Sequence, residues 1–146
     1  MKVGQPRSII NLYDWLPGYG ESEVRAAMEG ADLRLSVLYE KEVDDDLRIM
    51  KIDLIFVRAR MFLKQSFPGG WMFESIAAEN LIELGHVSEY VVSDFVQRFL
   101  EKQRAAFHYA PTDVRHFNVQ FLYENIEFHI LASDVLVGEE LPAALS

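Results

Sequence analysis

The chain has 146 residues, is 50% hydrophobic, contains no cysteine and carries a formal net charge of −9 at pH 7. The length suits one domain of ordinary size, the apolar content is too high for a disordered chain, and the lack of cysteine excludes disulfides, thiolate metal sites and a cysteine nucleophile. Because the chain is acidic, we expect neither nucleic acid nor an anionic membrane surface as its partner. It also has no signal-peptide pattern and no run of 18 apolar residues, so we expect no membrane-spanning segment. We therefore expect a single globular domain over residues 1–146 in the reducing cytoplasm.

The first third of the chain predicts a turn, a short helix and a strand. Pro17, Gly18 and Gly20 predict the turn. Apolar residues at helical spacing then predict a short helix capped by Ser22 and ended by Gly30, with Val24, Ala27 and Met28 on one face. Alternation of apolar and polar residues predicts a half-buried strand through Leu33, Leu35, Val37 and Tyr39.

A second strand is predicted from Arg48 through Arg58 and Arg60 towards Phe62. We expect a four-residue loop over Asp44 to Leu47, which pairs Tyr39 with Ile52, Val37 with Leu54, and Leu35 with Phe56. A three-residue loop would place Val37 opposite Asp53 instead. That slip of one residue would turn apolar side chains to solvent, so we reject it.

The middle of the chain leaves two alternatives open. Ser75 to Leu84 predicts a short helix that ends at Gly85, or else an irregular crossing that contains a strand. The next segment is clearer, because apolar residues from Val92 to Leu100 follow the 3.6-residue repeat of a helix. Ser93 or Ser88 is the expected N-cap.

The last hairpin carries the strongest pattern in the chain. Two alternating strands flank a two-residue turn at Glu124 and Asn125, and this register pairs Tyr123 with Ile126 and Phe121 with Phe128. One face of the hairpin is wholly apolar, and we expect the helix to cover it. The predicted fold is an α+β two-layer domain, with an antiparallel sheet of at least four strands in two hairpins on one or two helices, and with a frayed tail over residues 138–146.

The polar face of this hairpin is predicted to face solvent and to contact a partner protein through His116, Gln120, Glu127 and His129. Two stretches, residues 65–97 and 116–146, contain acidic residues but no lysine or arginine. We expect them to share one face, to which Glu79 and Glu83 belong, and a face of one sign favours a basic partner.

No catalytic or metal-binding motif is present, and we expect no cofactor. In the predicted register His116 lies four residues along the strand from the row that contains His129, or roughly 14 Å away at about 3.4 Å per residue. No metal ion bridges that distance. Asp44, Asp45 and Asp46 are expected to form a polar turn, because adjacent carboxylates diverge.

Residues 115–135, with the sequence RHFNVQFLYENIEFHILASDV, resemble the closing hairpin of small acidic immunity proteins from bacterial polymorphic-toxin and contact-dependent inhibition systems. The matching positions are Arg115, His116, Phe117, Glu127 and Ala132. The resemblance implies a non-catalytic inhibitor that binds a cognate toxin, and the acidic stretches would suit a basic toxin such as a nuclease.

Two other functions stay open. The chain is alternatively a small-molecule-binding protein or hydrolytic enzyme with a cleft lined by Trp15, Trp71 and the histidines, and a buried pocket with convergent titratable groups would favour this. A third hypothesis is a structural homodimer, in which exposed strand edges pair two copies of the chain. Trp15, Tyr19 and Trp71 lie beside glycine or proline turns, where aromatic residues often anchor interfaces.

Overall fold

The computed structural model describes residues 1–77 and 82–143. Its strands and helices, in chain order, are β1 (Lys2–Val3), β2 (Pro6–Asn11), a 3-10 turn (Leu12–Asp14), β3 (Glu23–Glu29), β4 (Asp32–Val43), β5 (Asp46–Val57), β6 (Met61–Ser66), β7 (Glu74–Ser75), β8 (His86–Tyr90), α1 (Asp94–Phe107), β9 (Arg115–Phe121), β10 (Ile126–Ala132), β11 (Asp134–Val137) and β12 (Leu141–Pro142).

Two antiparallel sheets form the body of the domain. The first, called sheet I, has the strand order β2-β8-β9-β10-β6, and the second, sheet II, has the order β11-β5-β4-β3 with β12 also pairing with β5. Their apolar faces form one core, in which the rings of Phe56 and Phe117 lie 5.7 Å apart. β1 and β7 form a separate parallel pair.

The predicted α+β class with an antiparallel sheet and a helix is confirmed, but the cover of the last hairpin differs from the prediction. The two predicted hairpins lie in different sheets, and the apolar face of β9 and β10 packs on sheet II. α1 lies over the opposite face, where the ring of Phe95 meets His116 edge-on at 5.4 Å. Sheet II also has an apolar face, and packing the two sheets against each other removes both apolar faces from water.

The β4–β5 hairpin has a tighter turn than predicted. Val37 pairs with Ile52 and Val43 with Asp46, so the loop contains only Asp44 and Asp45. Both aspartates have positive φ, 52° and 65°, as both central residues of a type I′ hairpin turn require. The predicted pairing was wrong by two residues, and because side chains alternate with a period of two, every residue still lies on the expected face.

The short helix predicted after Ser22 is wrong. Residues Glu23–Glu29 form β3, which pairs with β4 so that Val24 lies opposite Val37. Gly30 ends this strand in a turn with φ of 59°. A strand beside β4 gives both segments a ladder of hydrogen bonds, which outweighs the weak helical spacing of Val24, Ala27 and Met28.

The long strand predicted from Arg48 to Phe62 is split between the two sheets. β5 ends at Val57, and Arg58 turns the chain with a φ of 49°. The amide of Arg60 then donates to the carbonyl of Leu131, which starts the pairing of β6 with β10. The chain therefore passes from sheet II to the edge of sheet I within three residues.

The predictions for the second half have mixed outcomes. Of the helix predicted over Ser75 to Leu84, residues 78–81 lie outside the described part; Ser75 belongs to β7, and residues 82–84 are not helical. The helix with Ser93 as its N-cap is confirmed as α1, where the Ser93 hydroxyl accepts from the amide of Val96.

The frayed tail predicted from residue 138 is wrong as far as residue 143. Leu141 pairs with Lys51 in β5, and the amide of Gly138 donates to the carbonyl of Asp53. The carboxylate of Glu140 binds the ammonium of Lys41 at 2.7 Å and accepts from the Tyr39 hydroxyl. These contacts fix the tail along sheet II.

Candidate functional site

The polar face of the last hairpin is buried, so the prediction that it faces solvent was wrong. The exposed fractions are 0% for His116 and Gln120, 2% for His129 and 8% for Glu127. The chain segment that follows β6 lies over them, with the ring of Phe73 stacked on His129 at 3.9 Å, and α1 covers His116 through Phe95. As they stand, these four side chains offer no open surface to a partner.

The register of this hairpin brings its polar residues closer than predicted. A four-residue loop over residues 122–125 replaces the two-residue turn, so Gln120 faces Glu127 and Asn118 faces His129. His116 Nε2 then lies 2.8 Å from His129 Nδ1. The predicted separation of roughly 14 Å was therefore wrong, because a shift of two residues moves each cross-strand neighbour by two positions.

Hydrogen bonds connect these side chains into one buried polar network. The Ser93 hydroxyl lies 2.7 Å from His116 Nδ1, and Asn118 Nδ2 donates to Glu127 Oε2 at 3.0 Å. Gln65 Nε2 donates to Glu127 Oε1 at 2.6 Å. Gln120 accepts from the amide of Gly85 at 3.0 Å and donates to Asn118. Burial of this face is tolerated because its polar groups have partners inside the protein.

The network sets the ionisation of its members. Burial, together with the nearby His129, holds the pKa of His116 well below its ordinary value of 6.5, so its ring is neutral at pH 7. For Glu127, burial acts to raise the pKa, but hydrogen bonds from His129, Asn118 and Gln65 outweigh it and the pKa is lowered. The interior of this face therefore contains an ionised carboxylate.

The acidic stretches do not form the free face that we expected. Glu89 binds Arg7 at 2.5 Å and Arg115 at 2.8 Å, and the Arg115 hydrogen bond leads the causes that lower its pKa. Glu127 and Glu140 are also engaged within the chain. Glu83 is exposed and lies 3.3 Å from His86, whereas Glu79 lies outside the described residues. Of the predicted site residues that the structure describes, the four hairpin residues are brought together and Glu83 lies apart from them.

The cleft proposed for Trp15, Trp71 and the histidines is not formed with the tryptophans, although His129 lines a smaller cavity with Glu127 and Tyr90. Trp15 packs on Tyr39 at the core between the sheets, with ring centroids 5.8 Å apart. The histidines of the network lie on the opposite face of sheet I, and Trp71 is 83% exposed. Of the two tryptophans, only Trp71 is placed as an interface residue would be.

The open edge of sheet I is a surface that the sequence analysis missed. β6 is the last strand of this sheet, and within residues 1–77 and 82–143 no strand pairs with its free side. The amide of Phe67 donates to the carbonyl of Asn125, the residue opposite it in the register of β6 and β10. In an antiparallel pair only every second residue bonds to the neighbouring strand, so the backbone groups of Phe62, Lys64 and Ser66 point away from β10. These are free donors and acceptors along one line.

Apolar and basic side chains flank this open edge. Met61 is 49% and Phe62 40% exposed, and Trp71 follows in the loop beyond the strand. Beside the start of β6, a groove of about 440 Å³ runs along α1, and its lining combines apolar residues, Met1, Met61, Phe95 and Phe99, with basic ones, Arg60, Arg98 and Lys102. No ion pair within the described part of the chain engages these three cations or Lys64.

The other sheet edges have features that block strand addition. β2 begins with Pro6 and contains a bulge between Ser8 and Ile10. β3 has three charged residues out of seven, and β11 and β12 are only four and two residues long. β6 has six residues with one charge, no proline and no bulge. Among the described edges it is the one least protected against pairing with another chain.

Comparison with known proteins finds no matching family model, no matching curated protein and no matching solved structure. The described residues contain no cluster of three or more histidine, aspartate or glutamate side chains arranged to hold a metal ion. They also contain no helix long and apolar enough to span a membrane.

Proposed function

We propose that this protein is a non-catalytic protein-binding module that receives an extended segment of its partner as an added strand at the open edge of β6. The observation that carries the proposal is the unpaired, six-residue edge beside exposed Met61, Phe62 and Trp71. Strand addition draws affinity from main-chain hydrogen bonds and specificity from pockets for alternate side chains. Tryptophan is one of the residue types that are enriched at the energetic centres of protein interfaces.

The side chains around the edge select an acidic segment. Lys64 lies on the strand, and Arg60, Arg98 and Lys102 are among the residues that line the adjoining groove. Among the described residues these four cations have no ion-pair partner, whereas several acids, including Glu29, Asp53, Glu89, Asp113 and Glu140, are already paired. A second copy of the chain is a poorer occupant, because two-fold pairing of β6 would bring like charges at Lys64 together.

The protein-binding role is the one expected from the sequence, but the segment bound at β6 is acidic and not basic. A basic partner was expected from the net charge of −9, and long-range attraction of that kind remains a prediction. The contact proposed at β6 is with an acidic strand of the partner. An immunity-type inhibitor would act in this way if the segment that it captures is needed for the activity of the toxin.

The test uses two synthetic peptides, one alternating glutamate with valine and the other alternating lysine with valine, each titrated by calorimetry. We expect the acidic peptide alone to bind. Lys64→Pro should lower its affinity at least tenfold, because proline removes an edge amide that β10 does not use. Lys64→Gln is the matched control, which loses the charge but keeps the amide, and should lose less.

A second pair of variants tests the charges. Arg98→Glu with Lys102→Glu should weaken binding at least tenfold and flatten its salt dependence. Arg48→Glu with Arg104→Glu gives the same change in net charge at other exposed sites and should have little effect. Equal binding by both peptides, or by Lys64→Pro and the parent protein, would refute strand addition. A concentration-dependent dimer abolished by Lys64→Pro would make a second copy the occupant and refute the acidic partner.

A further inference from the structure

A second cavity, separate from the open edge, lies between the buried polar network and the chain segment that covers it. Its volume is about 140 Å³, and it is partly open to solvent. Phe67 and Phe73 belong to the apolar part of its lining, and the polar part consists of Gln65, Ser75, Tyr90, Glu127 and His129. At about 30 Å³ for each water-sized group, it has room for roughly five such groups, which is enough for a ligand of two or three heavy atoms together with bound water.

Glu127 is the one acidic side chain among the described residues that line the cavity, and His129 is the titratable side chain beside it. Glu127 accepts from the amides of Gln65 and Asn118, and its Oε2 lies 3.6 Å from His129 Nε2. No lysine or arginine lines the cavity. A carboxylate has about four acceptor positions, so these three neighbours leave Glu127 able to accept one more hydrogen bond.

Three aromatic side chains, Phe67, Phe73 and Tyr90, line this cavity together with the carboxylate. Phe73 stacks on His129 at 3.9 Å, and Tyr90 is roughly parallel to the same imidazole with a centroid distance of 6.3 Å. Burial and the charge of Glu127 raise the pKa of Tyr90 to about 12, so its hydroxyl stays protonated and the ring uncharged. Faces of neutral aromatic rings attract cations, most strongly where water is excluded.

We propose that this cavity is a binding site for a small organic cation, of the size of methylammonium, whose N–H donates to Glu127 while its methyl group contacts Phe67 and Phe73. The chemistry is that of an ion pair with a hydrogen bond inside an aromatic enclosure. The site shares only Gln65 with β6, and its occupancy does not depend on strand addition.

The experiment titrates the intact protein with methylammonium chloride and follows the chemical shifts of the side chains of Glu127 and His129. Sodium chloride at equal ionic strength and sodium acetate are the control solutes. We expect saturable shifts with methylammonium alone. Glu127→Gln should weaken binding at least tenfold, and Glu124→Gln, an exposed acid of the same hairpin, should leave it unchanged.

Phe73→Leu keeps the carboxylate and removes an aromatic face, so it covers the case in which Glu127→Gln does not fold. We expect this variant to bind methylammonium several-fold more weakly. Shifts that do not saturate, shifts equally large with acetate, or a Phe73→Leu protein that binds as the parent does would overturn the proposal. Lys64→Pro should bind methylammonium normally, which separates failure of this site from failure of the β6 contact.

Discussion

Acidification from pH 7.5 to 5.5 should destabilise the protein through His116. Its ring is fully buried between Ser93 and His129, and burial and His129 lower its pKa in the folded state. The His116 ring therefore binds a proton near pH 6.5 in the unfolded chain but stays neutral at that pH in the folded protein. Stability from this group is fully present above pH 6.5 and is lost as the pH falls towards the folded pKa.

The magnitude follows from proton linkage. With an unfolded pKa of about 6.5, complete exclusion of the proton from folded His116 lowers the free energy of unfolding by about 1.4 kcal/mol between pH 7.5 and 5.5, which is the largest effect this group can have. At a urea dependence of about 1.5 kcal/mol per molar, the midpoint of unfolding should move by about 1 M.

Urea unfolding of the parent protein and of His116→Gln at several pH values isolates this group, since the other three histidines are common to both proteins. Glutamine cannot titrate but can still bond to Ser93 and His129. The stability difference between the two proteins should shrink as the pH falls. If both midpoints fall in parallel over this range, His116 is not excluded from protonation in the folded state and the reasoning is wrong.

Three further variants test other parts of the structure by urea unfolding. Glu21→Ala should cost about 1–3 kcal/mol, because its carboxylate accepts from two backbone amides, those of Tyr123 and Glu124, at 2.8 Å; a loss below 0.5 kcal/mol, roughly that of an ordinary surface change, would contradict this role. Gly20→Ala should destabilise by more than about 1 kcal/mol, since φ is 79° and a Cβ would lie 2.0 Å from the Tyr123 ring; unchanged stability would show that this loop rearranges freely. Ser93→Ala should cost at least about 1–2 kcal/mol, because the hydroxyl caps α1 and also bonds to His116; Ser93→Thr should recover part of the loss.

The sequence was sufficient to predict which segments alternate and which side chains share a face. Phe117, Phe121 and Phe128 lie in the core as their spacing predicts. The pairing of both hairpins was nevertheless wrong by two residues, because a shift of two leaves every face unchanged. Only the conformation of the loop distinguishes one register from the other. In the β4–β5 hairpin that conformation depends on positive φ at Asp44 and Asp45.

The burial of the polar face could not be predicted from the hairpin itself. A strand with His116, Asn118 and Gln120 on one side has the same alternation whether that side meets water or a satisfied network. The difference comes from Phe73 and Phe95, which are distant in the chain and lie over the two histidines. The candidate binding edge escaped prediction for a related reason, since sheet order decides which strand is left unpaired.

Sheet I is enclosed on both sides, by sheet II on one and by α1 and the segment after β6 on the other. Its central strands therefore have no side from which solvent can reach the amide hydrogens without a large opening of the domain. Deuterium should enter β9 and β10 last, at a rate set by global unfolding. The edge strand β6, by contrast, should exchange early at every second residue.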